Sequence, residues 1–552
     1  MLCNNICPFE FGLLVLIEQK SVVFSHHYSL DYEKMSIFTS SYSLWELKVR
    51  NKLTDKLMLR KFRIIAATMS FALLTLLFLD FTGTLHAWLG WLAKIQFLPA
   101  VLALNVGVVA SLVVLTLIFG RLYCSVICPL GVMQDIFSFF GGKRKKNRFS
   151  YSPAKNWLRY GVLVVFIAAM VAGFGAIANI VAPYSAFGRI AQNLLAPLWG
   201  WGNNVLAYVA ERLDSYAFYT TQVWVASWAT FGVAVVTLLV VGYLAWRGGR
   251  TYCNTICPVG TVLGALSRFS LFKHVIDTEK CIDCKRCARN CKSSCINVEN
   301  HSIDYSRCVT CFDCIENCSK GAIKYEFRFG ASKPAVKGEG EPEVDKSRKN
   351  FLIGTALLAS SVVKAQEMKV DGGYAAIVAK QAPNRKQPIT PPGSQSARNM
   401  ASHCTGCQLC VSACPNDVLR PSTDLQTFMQ PVMSYEKGYC RPECNVCSQV
   451  CPTGAIRLLD LAHKSATSVG HAVWRRKNCI VISDEVECGN CERHCPSGAI
   501  TMERLDSENP RSRRIPVVNK ERCLGCGACE YVCPARPLSA IFVKGYKNHR
   551  NI

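Results

Sequence analysis

The 31 cysteines of this 552-residue chain constrain its fold more than any other feature, because most of them recur at fixed spacings. Four groups of four share the spacing Cys-x2-Cys-x2-Cys-x3-Cys, and two looser groups lie between the third and the last of these. We number the groups as runs 1 to 6 in chain order. The runs are Cys281, Cys284, Cys287, Cys291 (run 1); Cys308, Cys311, Cys314, Cys318 (run 2); Cys404, Cys407, Cys410, Cys414 (run 3); Cys440, Cys444, Cys447, Cys451 (run 4); Cys479, Cys488, Cys491, Cys495 (run 5); and Cys523, Cys526, Cys529, Cys533 (run 6).

The spacing of runs 1, 2, 3 and 6 is typical of bacterial ferredoxins that bind [4Fe–4S] clusters. Three thiolates on one tight loop bind three irons of a cubane, whereas the fourth cysteine ligates the neighbouring cluster. Runs therefore occur in pairs, and the six runs predict six [4Fe–4S] clusters on 24 cysteines. Two alternatives agree less well with the spacing. Zinc sites usually separate two Cys-x2-Cys pairs by a dozen or more residues, and disulfide scaffolds are typical of short secreted chains.

The composition also predicts that part of the chain lies in a membrane. Half of the residues are apolar, and the mean hydropathy of +0.18 is high for a soluble protein. The net charge of +25 does not indicate nucleic-acid binding, because no DNA- or RNA-binding motif accompanies it. An oxidised cubane with four thiolates carries about −2, so six clusters would offset about half of that charge.

Four apolar stretches predict a membrane domain of four helices over residues 58–270. Basic residues near the ends of these stretches favour an even number of crossings, with both ends of the domain in the cytoplasm. The uncharged stretch Ile190–Ala210 is interpreted as a re-entrant or surface segment, since a fifth crossing would place Arg247 outside. The predicted spans are Ile64–Leu79, Leu98–Gly120, Tyr160–Pro183 and Val223–Trp246.

The expected fold class is therefore multidomain, with a polytopic α-helical membrane domain and α+β bacterial-type ferredoxin domains. Residues 1–57 show little organisation. Residues 271–330 hold runs 1 and 2 as a cytoplasmic two-cluster domain, and residues 401–545 hold runs 3 to 6 as a four-cluster domain. Between these domains the sequence predicts a linker at 331–350, a short apolar signal-like or anchor segment at 351–365, and a second linker at 366–400.

A second repeat lies at the ends of spans two and four. The segments Gly120–Gly131 and Gly249–Gly260 match at eight of twelve positions, and each contains Cys-x3-Cys-Pro. Cysteines four residues apart share one helical face, so the two copies would place four thiols at one depth. These thiols suit a metal, a redox disulfide or another cluster, and the alternative is that they are buried structural cysteines. They are Cys124, Cys128, Cys253 and Cys257, which we call the motif thiols.

Paired Cys-x3-Cys-Pro motifs followed by a two-cluster domain make residues 58–325 similar to the NapH-type membrane ferredoxins of periplasmic nitrate reductase systems, with NosR and CcoG as relatives. Residues 345–545 resemble the NapG-type four-cluster ferredoxins, which a twin-arginine signal exports. The chain looks like the two fused. The resemblance implies an inner (cytoplasmic) membrane, multi-pass protein with residues 401–545 in the periplasm. Lys349 stands where the second arginine of that signal would be, so a cytoplasmic location is the alternative.

The pairing of runs, together with the resemblance, implies which fourth cysteine completes each cluster. In the two-cluster domain, run 1 would take Cys318 and run 2 would take Cys291. In the four-cluster domain the outer runs would pair with each other and the inner runs likewise. Run 3 would then take Cys533, run 6 Cys414, run 4 Cys495 and run 5 Cys451.

The resemblance implies that the chain oxidises a membrane quinol and relays electrons through its clusters to a redox partner protein, either a reductase or a cytochrome. Asp80 and His86 follow span one near the membrane interface and are candidate catalytic proton acceptors. The alternative function is an assembly or regulatory factor whose motif thiols bind or reduce a copper-like metal for another enzyme. No hydrolytic constellation or glycine-rich phosphate loop indicates a third chemistry.

Overall fold

The computed structural model describes residues 58–80, 82–142, 149–328 and 378–552. The expected segments 1–57, 331–350 and 351–365 lie outside these residues. From Arg60 onward the described residues belong to one compact unit, Arg60–Ile552. We divide it into a helical part (58–270), an N-terminal ferredoxin part (271–328) and a C-terminal ferredoxin part (378–552).

The helical part contains more helices than the four that the sequence predicted. We number as α1 to α4 the helices at the predicted spans: α1 Met58–Leu79, α2 Val106–Phe119, α3 Asn156–Val171 and α4 Trp228–Gly248. The other α-helices of this part are Thr84–Leu89, Trp91–Lys94, Phe97–Leu102, Leu122–Val126, Pro129–Gly142, Gly175–Val181, Pro183–Ile190, Ala196–Arg212, Thr251–Thr255 and Pro258–Ser267, with a π-helical turn at Ala191–Leu195.

Two of the four predicted spans are interrupted. Among the described residues, α1 and α4, with 22 and 21 residues, are the helices long and apolar enough to cross a membrane. The second span breaks before α2, where Leu104 has a φ of 53° and the Asn105 side chain accepts a hydrogen bond from Val108 N. The third span breaks after α3, where Gly173 has a φ of 77°. A hydropathy window does not register either break, because the residues that cause it are uncharged.

The stretch Ile190–Ala210, interpreted from the sequence as a re-entrant or surface segment, is helical in the structure. The chain is helical from Pro183 to Arg212, through Pro183–Ile190, Ala191–Leu195 and Ala196–Arg212. Pro183 stands at the first turn of its helix, where its missing N–H leaves no hydrogen bond unmade. The segment also carries the fully buried Arg189, whose guanidinium donates to the carbonyls of Asn179 and Ile180.

The ferredoxin parts consist of two-stranded antiparallel sheets and short helices around the cysteine runs. In the N-terminal ferredoxin part Phe272–Ile276 pairs with Ile323–Phe327, and Ile296–Asn297 pairs with Ser302–Ile303. In the C-terminal ferredoxin part the pairs are Leu419–Pro421 with Pro431–Met433, Thr467–Trp474 with Ile541–Asn551, and Ile500–Arg504 with Arg514–Val518. The short helices are Arg286–Arg289, Asp313–Glu316, Ala397–His403, Leu409–Ser412, Val446–Val450, Leu461–Ala466, Ile480–Ser483, Asn490–Arg493, Ala528–Val532 and the 3-10 turn Arg476–Asn478.

The C-terminal ferredoxin part begins earlier and ends later than residues 401–545. Residues 378–400 were expected to be linker, yet Ile389 is 1% exposed and its carbonyl accepts from Met433 N at 2.8 Å. At the other end, the strand that starts at Ile541 continues to Asn551. The prolines that suggested a linker instead shape a packed extended segment, because proline is also compatible with extended backbone.

The N-terminal ferredoxin part lies at one end of all four numbered helices. At the start of α1, Arg60 forms an ion pair with Asp313 at 2.8 Å. At the end of α2, the Phe119 carbonyl accepts from Thr310 Oγ1 at 3.2 Å. Arg159, in the first turn of α3, donates to Ser306, and Lys292 O accepts from Arg250 N at 2.8 Å just after α4.

The C-terminal ferredoxin part lies at the other end of the same helices. Phe78 at the end of α1 packs against Gly188, which in turn lies against the carbonyl of Cys407. The segment before α2 approaches Gly454, and the segment after α3 approaches Gln430. Before α4, the Arg420 guanidinium lies 4.8 Å from the Trp224 ring centroid. The two ferredoxin parts are therefore separated by the length of the helices. For α1 this is about 33 Å, since an α-helix rises about 1.5 Å per residue.

Candidate iron–sulfur sites

The loops of runs 1, 2, 3 and 6 share a backbone conformation that turns peptide groups toward the cysteines. In each run, the residues two and four positions after the first cysteine have positive φ. Successive residues of alternating handedness form a concave set of N–H donors that suits an anion such as a thiolate-ligated cluster. Runs 4 and 5, whose spacing is looser, lack this pattern at Asn445 and Gly489. The positive-φ residues are Asp283, Lys285, Thr310, Phe312, Gly406, Gln408, Gly525 and Gly527.

In the N-terminal ferredoxin part, the structure brings together the cysteines that the sequence paired. One cavity is lined by set 1, which comprises Cys281, Cys284, Cys287 and Cys318. Set 2 comprises Cys308, Cys311, Cys314 and Cys291. Burial, followed by the charges of the other three members, raises the pKa of the Cys314 thiol.

In the C-terminal ferredoxin part, the structure contradicts the predicted pairing of outer with outer and inner with inner runs. Burial and the neighbouring thiols of run 3 and Cys451 raise the pKa of Cys410, and Cys414 lies instead among the run 4 thiols. One cavity is lined by three thiols of run 5 and Cys533, and Cys495 neighbours those of run 6. The sets are Cys404, Cys407, Cys410, Cys451 (set 3); Cys440, Cys444, Cys447, Cys414 (set 4); Cys479, Cys488, Cys491, Cys533 (set 5); and Cys523, Cys526, Cys529, Cys495 (set 6).

Consecutive runs pair because each pair folds as one two-cluster unit, which requires the closure of shorter loops than pairing run 3 with run 6. The two units then join through the backbone. Cys440 N donates to Cys526 O at 3.0 Å, so a member of set 4 lies directly beside a member of set 6. Sets 3, 4, 6 and 5 therefore form a row in that order.

The fourth cysteine of most sets has a backbone donor aimed at its sulfur. The N–H groups of Ala322, Ala499 and Ala540 donate to Cys318, Cys495 and Cys533 at 3.2–3.3 Å. In set 3, Ile456 N donates to Cys451 at 3.4 Å. Such donors stabilise a thiolate and help to set the potential of a bound cluster, so the residues present suit a [4Fe–4S] group.

The motif thiols converge in the core of the helical part, with each side chain at most 5% exposed. The charges of the other three motif thiols, after burial, raise the pKa of Cys257, so the four sulfurs lie near one another. Two of them accept hydrogen bonds. Gln134 Nε2 donates to Cys253 Sγ at 3.1 Å, and Gly260 N donates to Cys257 Sγ at 3.3 Å.

The two Cys-x3-Cys-Pro segments are linked by an exchange of arginines. Arg121 of the first segment donates to the carbonyl of Cys253 at 3.3 Å, and Arg250 of the second donates to the carbonyl of Cys124 at 2.6 Å. Glycine is required beside each arginine, because a Cβ on Gly131 or Gly260 would collide with the same carbonyl and guanidinium. The shared Gly and Arg positions of the repeat are therefore explained by this interlock.

The two arginines differ in their counter-charge. Arg250 is paired with Asp135, which also accepts from Arg63 and lies 3.8 Å from Lys292. Among the described residues no ion pair to a carboxylate is recorded for Arg121. Its guanidinium donates instead to neutral oxygens and lies 3.9 Å from Cys124 Sγ. Within the part of the chain that the structure describes, a buried cation thus faces the motif thiols without a carboxylate partner.

The structure brings Asp80 and His86 together, but the hydrogen bonds around Asp80 indicate a structural role rather than a catalytic one. Their side chains lie 3.0 Å apart, and Asp80 also accepts backbone hydrogen bonds from Thr82, Gly83 and Leu85. Burial alone would raise the pKa of Asp80, but the hydrogen bonds from Thr82 and His86 outweigh it and hold the pKa below its usual value. A carboxylate stabilised in this way is a weak proton acceptor.

We expect Asp80→Asn to lower the free energy of unfolding by about 1–3 kcal/mol at pH 7, because the amide cannot accept all of these hydrogen bonds. Since the folded pKa is lowered, the stabilisation is complete above the usual pKa of about 3.9 and is lost only as the pH falls through the lower folded value. Denaturant titrations of both proteins at pH 7 and at about pH 3 would measure this. An equal difference at the two pH values would contradict the assignment.

Sequence reasoning missed Asp417, which follows Cys414 in run 3. It lines a cleft with Phe78, Trp199 and Val411, between the end of α1 and the C-terminal ferredoxin part. Burial raises the pKa of Asp417, and a hydrogen bond from Trp224 offsets part of the rise. Its apolar surroundings come from distant segments of the chain, so no local pattern could have singled it out.

One of three family matches agrees with the grouping of the cysteines in the C-terminal ferredoxin part. Residues 403–457 and 486–536 match a family described as a 4Fe-4S dicluster domain, and residues 304–418 match a second family with that description. The match at 403–457 covers runs 3 and 4, and the match at 486–536 covers run 6 and three cysteines of run 5. The same runs are paired in the structure. Residues 101–147 and 228–276, which contain the two Cys-x3-Cys-Pro segments, match a 4Fe-4S binding domain.

The methylamine utilization ferredoxin-type protein MauM of Paracoccus denitrificans (strain Pd 1222) is 32% identical over 175 residues, which are 29% of this chain and 75% of MauM. The chain belongs to the ferredoxin-type iron–sulfur proteins. The ferredoxin-type protein NapG of Escherichia coli (strain K12) is 33% identical over 26% of this chain and 65% of its own length. NapH of Haemophilus influenzae is 25% identical over 36% of this chain and 55% of its own length.

This ferredoxin-type chain therefore spans less than two thirds of the length of NapG and of NapH. No solved structure matches it. The predictions of [4Fe–4S] binding and of iron–sulfur electron transfer are confirmed at the level of the family.

Proposed function

We propose that the protein binds six [4Fe–4S] clusters and carries electrons from a membrane quinol, taken up at set 3, across the membrane through its helical part to a redox partner protein. This proposal rests on the position of the two ferredoxin parts at opposite ends of α1 to α4. An electron carrier confined to one face of a membrane would not need clusters at both ends of its helices. The NapH-like and NapG-like portions would then be a fusion that faces both sides.

The exposed surface of the helices supports an inner-membrane, multi-pass location. In their most apolar windows only 28% of α1 and 22% of α4 is buried, whereas the core helix of a soluble protein would be mostly buried. On α3 the exposed side chains include Val164, Val165 and Ile167, and α4 exposes Val236 and Leu239. Exposed apolar side chains along these helices suit hydrocarbon.

The arrangement predicts sides for the two ferredoxin parts. Sets 1 and 2 face the cytoplasm if the basic start of α1, with Arg60, Lys61 and Arg63, obeys the positive-inside tendency. Sets 3 to 6 then face the periplasm. An alkaline phosphatase reporter fused after Ile552 would be active on intact cells, whereas activity only after lysis would contradict a transmembrane path.

The cleft at Asp417 is the proposed quinol site. It lies at the level of the end of α1 and adjoins Val411, the residue after Cys410 of set 3. Quinol oxidation releases two electrons and two protons. Set 3 would hold the cluster that takes up the electrons one at a time. Asp417, whose raised pKa makes it a better base than Asp80, would accept one proton with each electron and release it to water before the next.

We expect Asp417→Asn to slow quinol-driven cluster reduction by about 100-fold or more, the usual effect of removing a general base. The full chain in lipid nanodiscs would be mixed anaerobically with a naphthoquinol, and bleaching of the cluster absorbance would be followed. Asp424→Asn, an exposed site in the same part, is the matched control, and Asp80→Asn should also retain the rate. Retention of the rate in Asp417→Asn would reject this residue, and no quinol-driven bleaching of the wild type would reject the function.

The alternative of a copper-handling assembly factor gains no support from the geometry. A cargo metal must reach and leave its thiols, yet all four motif thiols are buried under helices and the N-terminal ferredoxin part.

A further inference from the structure

We propose that a basic groove on the C-terminal ferredoxin part is the docking site of a second redox protein, an acidic one-electron carrier that takes electrons from sets 6 and 5. The inference goes beyond the proposed function, because the path from set 3 through the helical part to sets 1 and 2 leaves sets 4, 6 and 5 without a role. The supply of electrons through set 3 rests on that function, but the docking site does not.

The groove directly adjoins cysteines of two sets. Ala472 lines the groove, and its backbone N–H donates to Cys523 Sγ of set 6 at 3.4 Å. Trp474 and Pro516 line both the groove and the cavity that contains the thiols of set 5. A protein seated in the groove would therefore be separated from two clusters by a single layer of residues, and this is the kind of positioning that a protein supplies for electron transfer.

The charged side chains that line the groove are all basic. Among the described residues that line it there is no aspartate or glutamate. The cations converge, because burial together with the charges of Lys520, Lys544 and Arg550 lowers the pKa of His471, which also lines the groove. Four exposed cations of the groove form no ion pair within the described residues, so their charges are available to a partner. They are Lys386, Arg475, Lys520 and Lys544.

Charge complementarity identifies the occupant as an acidic protein. Carboxylates on its surface would be attracted to these cations over the Debye length, which is about 8 Å at physiological ionic strength. A second copy of this chain, with a net charge of +25, would bring like charges together. The groove also offers the exposed Val517 and the Phe542 ring, and the Arg475 guanidinium lies 4.5 Å from the centroid of that ring. Aromatic side chains and arginine are enriched in protein interfaces.

The groove lies at one end of the row formed by sets 3, 4, 6 and 5. At the other end, Gly188 of the helical part lies against the carbonyl of Cys407 in set 3. Every residue that lines the groove belongs to the C-terminal ferredoxin part, so a docked protein would meet the row at the end opposite to set 3. In each encounter a reduced cluster of set 6 or 5 would lose one electron, and the haem or iron–sulfur centre of the partner would gain it. No bond is made or broken and no proton is transferred.

The test follows electron transfer from the full-length protein in lipid nanodiscs to a soluble probe. The clusters would be reduced anaerobically with dithionite, the excess removed, and the protein mixed with the oxidised haem domain of cytochrome b5, which is acidic. We expect the second-order rate of haem reduction to fall by about 10-fold or more between about 10 mM and about 200 mM salt. With basic cytochrome c the rate should not fall. Absence of a salt effect with the acidic probe, or the same fall with the basic probe, would overturn the proposal.

Variants of the groove separate docking from the overall charge of the protein. Lys520→Glu with Lys544→Glu should lower the rate with the acidic probe at low salt by about 10-fold or more. The matched control is Arg398→Glu with Arg457→Glu, which makes the same change in net charge at exposed positions of the same part outside the groove. The control should retain the rate, and equal rates in the two double variants would contradict the docking site.

Iron and acid-labile sulfide analysis would show whether the variants keep their clusters, since Lys520 is close to Cys523 in the sequence. Lys386→Gln with Arg475→Gln gives an independent measurement at positions farther from that ligand. It should slow the acidic probe several-fold with an unchanged iron content, and an unchanged rate would count against the proposal.

Carbodiimide coupling identifies where the probe binds. It should join carboxylates of the probe to Lys386, Lys520 or Lys544, as peptide mass spectrometry would show. Coupling confined to lysines of the N-terminal ferredoxin part would overturn the proposal. Inhibition by inorganic phosphate at constant ionic strength would assign the groove to a small anion instead. Because dithionite replaces quinol in this test, failure of docking is distinguishable from failure of quinol oxidation.

Discussion

Replacing Asp135 by asparagine should lower the free energy of unfolding by about 3–5 kcal/mol, the usual effect of breaking a buried ion pair at one partner. Asp135 is the shared counter-charge of Arg250, Arg63 and Lys292. Arg250 is completely buried, so removal of the carboxylate takes away the ion-pair partner that neutralises its charge. Thermal or denaturant unfolding of the detergent-solubilised protein would measure the loss.

The pH dependence of this effect follows from the sign of the pKa shift. Burial alone would raise the pKa of Asp135, but the charges of Arg250, Lys292 and Arg63 hold it well below its usual range. The stabilisation is therefore present above the usual aspartate pKa and is lost only as the pH falls through the much lower folded value. The difference between wild type and Asp135→Asn should accordingly persist at about pH 4, near the pKa of an ordinary aspartate.

Two controls separate the buried network from general effects of charge. Asp277→Asn removes an exposed ion pair with Lys280 and should change stability little. The double variant Asp135→Asn with Arg250→Met should be less than additive, because removal of both charges leaves none unpaired. Additive losses would show that Asp135 acts on something other than Arg250.

Replacing Cys451 by serine should remove the cluster bound by run 3, whereas replacing Cys533 should remove the cluster bound by run 5. A [4Fe–4S] cluster held by only three protein thiolates loses its open iron readily. Each variant should therefore lack up to about four irons per chain. Paramagnetic resonance after reduction, with the spin couplings between neighbouring clusters, would identify which one is missing. The spectra of Cys404→Ser and Cys451→Ser should lose the same component.

The prediction has a direct competitor in the pairing inferred from sequence, in which Cys533 completes the run 3 cluster. Under that pairing Cys404→Ser and Cys533→Ser would lose the same component, and Cys451→Ser would resemble Cys479→Ser. Cys295→Ser is a suitable control, because its sulfur lies 3.5 Å from that of Cys291 beside set 2 and far from run 3 in sequence.

The cysteine runs were readable from sequence because ligation to one cubane imposes a local spacing that survives any fold. The identity of the fourth ligand was not readable in the C-terminal ferredoxin part, because it depends on which loops close on each other. Cys451 and Cys533 carry the same Cys-Pro signature, and only the packing of consecutive runs distinguishes them. The two-cluster part offered no such choice, so its pairing agrees with the sequence.

The helical part was predictable in its long apolar helices but not in its interruptions or buried charges. Hydropathy detects α1 and α4, whereas the breaks before α2 and after α3 depend on Asn105 and Gly173. The roles of Arg121 and Asp135 depend on contacts between segments more than 100 residues apart. A sequence window cannot register such contacts. The same holds for Asp417, whose cleft is lined by residues as far apart in the sequence as Phe78, Trp199 and Val411.

The exchange of Arg121 and Arg250 between the two Cys-x3-Cys-Pro segments has a consequence for biosynthesis. The hydrogen bonds between the two segments cannot form until both segments have been synthesised. The carbonyl of Cys124 therefore has no arginine donor from the second segment while α3 and α4 are inserted. A chain with a single copy of the segment could form the same pair of arginine hydrogen bonds only in a homodimer with two-fold symmetry. Duplication within one polypeptide keeps the two segments together in every molecule. Each copy can then evolve contacts with a different part of the protein.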